Sequence, residues 1–187
     1  MVNQKRECIL VNATELFYEN GFQSVGVDLI ISRSSVAKST FYNHFPSKDN
    51  LIKSVLIRRN ELIQDNIARV TSECHVPEDK LKAVFDWYAE GLKSEGFNGC
   101  MFIRASEELR QLNNNLLEIP QQHKDWLTHK IEAILNEMHI SNSEAISKLI
   151  VVIFEGLTVK ASMYETIQHN EIDFAWESIE TMLRSYH

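Results

Sequence analysis

The chain has little that would turn it or staple it: six glycines, three prolines and three cysteines in 187 residues. So few turn formers argue against a fold of many short strands and in favour of long helices. Cys8, Cys74 and Cys100 are widely spaced and odd in number, which gives neither a disulfide framework nor a metal-knuckle spacing, so reduced thiols are expected. Apolar runs fall short of the roughly 18 residues a membrane span needs. The opening stretch MVNQKRECIL lacks the uninterrupted apolar core of a secretory signal. A cytoplasmic protein with no membrane partner is the expectation. Also missing are a His-Glu-x-x-His pair, a phosphate loop, a Gly-x-Ser-x-Gly elbow and a dinucleotide fingerprint. No metal, no other cofactor and no enzyme are therefore expected.

What is present is charge, unevenly spread. The net charge is -7. Residues 1–53 carry six Lys/Arg against five Asp/Glu, whereas residues 54–187 carry thirteen against twenty-one. Attraction to phosphate depends on local patches, so a near-neutral N-terminal part with clustered cations remains compatible with binding a polyanion.

Hydrophobic periodicity divides the chain into helices. Cys8/Ile9, Ala13 and Leu16/Phe17 recur at helical spacing from Gln4 to Asn20, and Gly21 stops the run. Two short helices follow, Val27–Arg33 and Val36–His44, joined by a tight turn at Ser34-Ser35. After Phe45-Pro46, Ser47 is placed to cap a long fourth helix that runs to about residue 70. Pro77 opens a fifth helix, with Leu81, Val84/Phe85, Tyr88 and Leu92 on one stripe. Cys100–Leu112 reads as a sixth, and Pro120 opens a seventh. Ser141-Asn-Ser-Glu144 has the form of a capping box before the most apolar helix, and Asn170 is placed to cap the last.

Around the third helix the sequence becomes specific. Lys38-Ser39-Thr40-Phe41-Tyr42-Asn43-His44-Phe45-Pro46-Ser47-Lys48-Asp49-Asn50-Leu51 follows an N-terminal Arg6, Ile9-Leu10, Ala13, Leu16-Phe17 and Gly21-Phe22. Together, residues 6–56 closely resemble the DNA-binding domain of the TetR family of helix-turn-helix transcriptional repressors. The resemblance implies an all-α fold of about nine helices: a three-helix helix-turn-helix domain in residues 1–46, then a helical bundle for effector binding and dimerisation in residues 47–187, with helix 47–70 connecting them. It also implies a ligand-responsive regulator, a repressor, that binds a palindromic double-stranded operator as a homodimer and is released by a small-molecule effector.

The site residues follow from that resemblance and from groove geometry. A major groove about 12 Å wide admits one helix, whose exposed side chains reach bases and phosphates. Lys38, Ser39, Thr40, Tyr42 and Asn43 are the polar or amphipathic members of that helix. By resemblance Tyr42, His44 and Lys48 contact the phosphate backbone, and Lys38 and Thr40 contact phosphates or bases. Three positions depart from the family's pattern: Gly26 stands where Thr is usual, Ser35 where the turn has Gly, and Ala37 where Ser or Thr caps the reader. Losing a cap costs about 1 kcal/mol, and positive φ is unfavourable for a non-glycine residue.

In the second part, Phe85, Tyr88, Met101, Phe102, Trp126, Phe154 and Tyr164 singly suit a core, and the resemblance implies that several line an effector cavity. The apolar breadth of the last two helices exceeds one buried face. The resemblance makes it a two-fold interface, with Leu149, Ile153, Leu157, Trp176, Ile179 and Leu183 as its residues. Two alternatives stay open: a redox or electrophile sensor acting through Cys100, with Arg104 one turn away, or a small-molecule binding protein that no longer holds DNA.

Overall fold

A computed structural model describes residues 2–110, 114–164 and 167–186 of the chain. Among these residues there are nine α-helices and a 3₁₀ turn. The helices are α1 (Val2–Asn20), α2 (Val27–Ser34), α3 (Lys38–His44), α4 (Lys48–Ser72), α5 (Pro77–Lys93), α6 (Met101–Leu109), α7 (Glu118–Glu137), α8 (Ser143–Met163) and α9 (His169–Arg184). The all-α expectation holds. No helix among the described residues is long and apolar enough to cross a membrane.

The chain forms two compact units. The first is Met1–Glu61 together with Met101–Gln122, and the second is Leu62–Cys100 together with His123–His187. The division after residue 46 is an expectation about function, and the compact units follow different bounds. What the units add is that α6 folds with α1, α2 and α3 although it lies some sixty residues further along.

In the first unit the apolar periodicity of α1 puts Ile9, Leu10, Ala13, Leu16 and Phe17 on one buried stripe. Ile30 of α2, Phe41 and Phe45 of the α3 region and Leu51, Ile52, Val55 and Leu56 of α4 close over it. Each of these side chains larger than alanine contributes about 1.5–3 kcal/mol by leaving water. Gly21 ends α1 at φ 85°, and its N–H donates to the carbonyl of Phe17 at 3.0 Å. Ser47 caps α4 as expected, its Oγ accepting from the Asn50 N–H at 3.1 Å.

In the second unit Leu81, Val84, Phe85, Ala89 and Leu92 of α5 face Ile146, Ile150 and Phe154 of α8, with Leu127, Ile131 and Ile134 of α7 and Ile172 of α9 also buried. Ring contacts run through it: Phe154 lies 5.7 Å from Phe85 and 5.0 Å from Tyr88, and Phe85 lies 5.1 Å from Trp176. The Lys82 ammonium sits 5.2 Å over the Trp176 ring.

Several expected boundaries move. α3 begins at Lys38, two residues late, because Val36 and Ala37 are used in the turn. α6 spans Met101–Leu109, and Leu112 lies outside the described residues. α7 begins at Glu118, so Pro120 sits inside its first turn, where no amide hydrogen is required. The capping box at Ser141 does not form: the Ser141 hydroxyl donates to the Tyr186 carbonyl at 2.7 Å and Glu144 pairs with Lys148 at 2.6 Å. Asn142, at φ 59°, is the N-cap instead. α9 likewise starts earlier than Asn170 implies, with Gln168 as N-cap and its N–H donating to Glu171.

Candidate nucleic-acid interface

α3 is seven residues long, and Phe41 is its buried member. Around Phe41 the helix turns outward Lys38, Ser39, Tyr42 and Asn43, all exposed, with Thr40 and His44 half-buried. The buried face is fixed by aromatic packing: Phe41 and Phe45 are 6.1 Å apart, and the Arg6 guanidinium lies 5.2 Å from the Phe45 ring. Tyr42 leans edge-on against Phe41 at 5.3 Å, which orients a phenol that is 43% exposed. Thus the seven residues assigned from sequence fall on one unit, six along α3 and Lys48 at the start of α4.

Two cations of the set have internal partners. Lys38 pairs with Asp28 at 3.2 Å, with both side chains mostly in water, so the pair is worth little and yields readily to a phosphate. Lys48 Nζ donates to the carbonyl of Gln23 at 3.2 Å. Burial lowers the pKa of Lys48 from the ordinary lysine value, while the carboxylates of Glu108 and then Asp49 act to raise it. As an ammonium in the first turn of α4, Lys48 also opposes the helix dipole, a cost that a phosphate anion would offset. Arg33 turns away from this face and pairs with Glu15 of α1 at 3.2 Å.

The three departures take definite form. Ser35 adopts φ 52° and ψ 39°, the left-handed conformation for which glycine is the usual choice. It closes α2 all the same: the Ser35 N–H reaches the Ser32 carbonyl at 3.1 Å and the Val36 N–H reaches Ile31 at 3.4 Å. Ala37 and Gly26 are the N-caps of α3 and α2, and neither offers a side-chain hydrogen bond to its helix. Ser34 does not substitute, since its hydroxyl is buried with no hydrogen-bond partner among the described residues.

Sequence reasoning missed the support beneath this face. Glu108 of α6 accepts two backbone N–H bonds on one oxygen, from Phe22 at 2.8 Å and Gln23 at 2.9 Å. The Gln23 side-chain amide returns a bond to the Glu108 carbonyl at 2.5 Å. One turn earlier Arg104 donates to the Tyr18 carbonyl at 2.6 Å. Successive amide hydrogens after a left-handed glycine form a small anion-binding concavity, and here an internal carboxylate fills it. Gly21 is required twice over, for its φ and because a Cβ there would lie 2.5 Å from Glu108 Oε1. Nothing in the local sequence of α6 announces this, since the partners are more than eighty residues apart.

The remaining assignments divide. Phe85, Tyr88, Phe154 and Trp126 belong to the second unit, and the first three pack ring on ring. Trp126 stacks on the buried His123. Met101 and Phe102 are buried and belong to the first unit, and Tyr164 is 60% exposed. Of the six residues assigned to a two-fold interface, Leu149 is exposed, and Ile153 and Leu157 line an open groove of about 830 Å³ with Lys160, Glu171 and Phe174. Trp176 is spent on Phe85. Ile179 and Leu183, 0% and 5% exposed, point into their own unit and are withdrawn from the interface, because a helical stripe does not say which of two apolar faces turns inward. In their place the outer face of α8 and α9 shows Val152 (58% exposed), Val159, Met163 and Phe174 (69% exposed). Cys100 is a half-buried free thiol.

The family model for bacterial regulatory proteins of the tetR family matches residues 9–55. The HTH-type transcriptional activator FasR of Mycolicibacterium smegmatis is 26% identical over 97 residues, 51% of this chain and 44% of that protein. The HTH-type transcriptional repressor DhaR of a Mycobacterium species is 27% identical over 109 residues, 58% of this chain and 54% of that protein. The chain thus spans about half the length of these curated relatives. In fold it is similar over nearly its whole length to SCO4454, a TetR-family transcriptional regulator from Streptomyces coelicolor, with a TM-score of 0.91 at 23% identity, covering 98% of this chain and 96% of that one.

Proposed function

We propose that this chain, whose residues 9–55 match the family model for bacterial regulatory proteins of the tetR family, is a member of that family and a transcriptional regulator that binds a palindromic operator as a homodimer. The observation that carries the reading is the exposed polar face of α3, backed by buried Phe41, with Lys48 four residues beyond it at the start of α4. A helix of this kind presents hydrogen-bonding groups to base edges while flanking cations meet phosphates. In this reading Lys38, Ser39, Thr40, Tyr42, Asn43, His44 and Lys48 form the contact set.

Dimerisation is supported by the outer face of α8 and α9. Leu149, Val152, Val159 and Met163 recur on α8 opposite its buried Ile146, Ile150 and Phe154, and an apolar stripe of that extent on a monomer is unusual. Gly156 lies on the same side, and a Cβ there would meet open space, so a second helix has room to approach. A closed two-fold pair would place two α3 helices on one duplex.

The reading includes a small-molecule effector, for which the aromatic cluster of Phe85, Tyr88 and Phe154 is the candidate host, with Trp126 a further candidate. Such a ligand shifts the population of DNA-competent dimers by no more than its difference in affinity for the two states. The relatives include both an activator and a repressor. Repression is the sign adopted here, and a cytoplasmic location goes with binding chromosomal DNA.

Electrophoretic retention of DNA surrounding the protein's own gene tests the reading. Wild type should retain a discrete fragment, more weakly as salt rises. Tyr42→Ala should lose about tenfold in affinity while keeping its melting temperature, as expected for one charge-assisted phosphate contact. Equal retention by both proteins would remove α3 from the interface.

A further inference from the structure

Lys48 opens α4, four residues beyond the end of α3, and its ammonium is tied to a chain of hydrogen bonds that starts at α6. Its ammonium donates to the Gln23 carbonyl at 3.2 Å, and the side chain is half-buried. Gln23 lies in an exposed turn after a glycine, where a backbone would ordinarily be loose. Here it is fixed at both ends: its N–H is bound by Glu108 Oε2 at 2.9 Å and its side-chain amide by the Glu108 carbonyl at 2.5 Å. Phe22 N–H adds a third bond to Glu108, at 2.8 Å. Arg104, on the same helix, holds the last turn of α1 through Tyr18.

Building on the DNA-binding reading above, we propose that Glu108, far outside the helix-turn-helix in sequence, is a positioning residue for operator binding: it fixes the Gln23 carbonyl, which aims the Lys48 ammonium at a backbone phosphate. Glu108 itself does not touch DNA. The proposal runs against simple charge reasoning. A carboxylate near a polyanion repels it, so removing Glu108 should tighten binding if charge were its main effect. Positioning predicts the opposite sign, because a lysine that must first be ordered loses rotamer freedom on meeting the phosphate.

The experiment measures affinity and its salt dependence for the full-length wild type, Lys48→Ala, Glu108→Ala, Glu108→Asp and Glu108→Gln on one operator fragment. Lys48→Ala should weaken binding about tenfold and reduce the slope of log affinity against log salt by about 1. Glu108→Ala should do the same, and the Lys48→Ala/Glu108→Ala double variant should bind within about twofold of Lys48→Ala alone, since both remove one contact. Glu108→Gln keeps an oxygen that accepts both N–H bonds and should stay within about threefold of wild type, whereas Glu108→Asp keeps the charge but is one methylene short and should resemble Lys48→Ala. If Glu108→Ala fails to fold, the Gln and Asp variants decide alone. Binding by Glu108→Ala as tight as wild type, losses that multiply in the double variant, or Asp outperforming Gln would each overturn the proposal. Failure of the wild type to retain any fragment would instead overturn the DNA-binding reading.

Discussion

Helices α3 and α8 each keep one face in a core and one in water, and the two exposed faces are chemical opposites. α3 buries Phe41 and shows a lysine, hydroxyls, an amide and a phenol. α8 buries Ile146, Ile150 and Phe154 and shows Leu149, Val152, Val159 and Met163. Burial on the inner side is the same in kind for both, about 25 cal/mol per Å² of apolar surface. The outer sides therefore carry the information about partners. A face of donors and cations suits a polyanion that keeps much of its water, while an aliphatic face gains most from a dry partner with the same shape.

Breaking the outer side of α8 should have the largest effect. Val152→Glu with Phe174→Glu would place four carboxylates at a two-fold interface with no cation assigned to them. Loss of the dimer at micromolar concentration, read by sedimentation, is expected, since an unpaired buried charge costs several kcal/mol. The chain's own core keeps its secondary structure, because both residues face outward. A dimer that survives would mean that this face is not the contact.

Breaking the inner side of α3 comes next. Phe41→Ala removes a fully buried ring in contact with Phe45 and Tyr42 and should cost about 3–5 kcal/mol in denaturant unfolding. Tyr42→Ala, one residue away, should leave stability nearly unchanged and act on DNA alone. The contrast between neighbours separates packing from contact. If both variants lose stability equally, the two-faced description of α3 fails.

The smallest effect concerns the turn that joins α2 to α3. Ser35→Gly relieves a left-handed serine and should raise stability by about 0.5 kcal/mol, the gain being partly offset by the greater freedom of glycine in the unfolded chain. A small rise in melting temperature with unchanged DNA affinity is the expected reading. A loss of stability would show that the serine is held by more than its backbone conformation.

How much was legible in the sequence differs along the same lines. The helix-turn-helix could be read almost residue by residue, because Ile9, Ala13, Phe17, Ile30 and Phe41 keep a single apolar register, and turn and stop residues bracket each helix. The positive φ at Ser35 was signalled by the glycine that the resembling family has in that turn and not by the serine itself. In the second unit, helix existence was legible but orientation was not. α8 is apolar on both sides and α9 nearly so, which is why Ile179 and Leu183 read as interface although they are core. The capping error at Ser141 comes from competition from afar: its hydroxyl goes to Tyr186, 45 residues away, and no local pattern encodes that choice. Glu108 belongs to the same class. Its neighbours in sequence say only that it lies on an amphipathic helix, and its role exists only once α1 and α6 meet.

The discontinuity of the first unit bears on how such proteins can be recombined. A chimera that joins residues 1–61 to the C-terminal part of a relative would carry α1, α2 and α3 without the acid that seats the turn after Gly21. Two amide hydrogens, of Phe22 and Gln23, would then depend on whatever side chain the donor happens to supply there. Hybrids that also transplant residues 101–122 keep the turn and its carboxylate together, so the modular unit of this fold is a pair of segments rather than a stretch of chain.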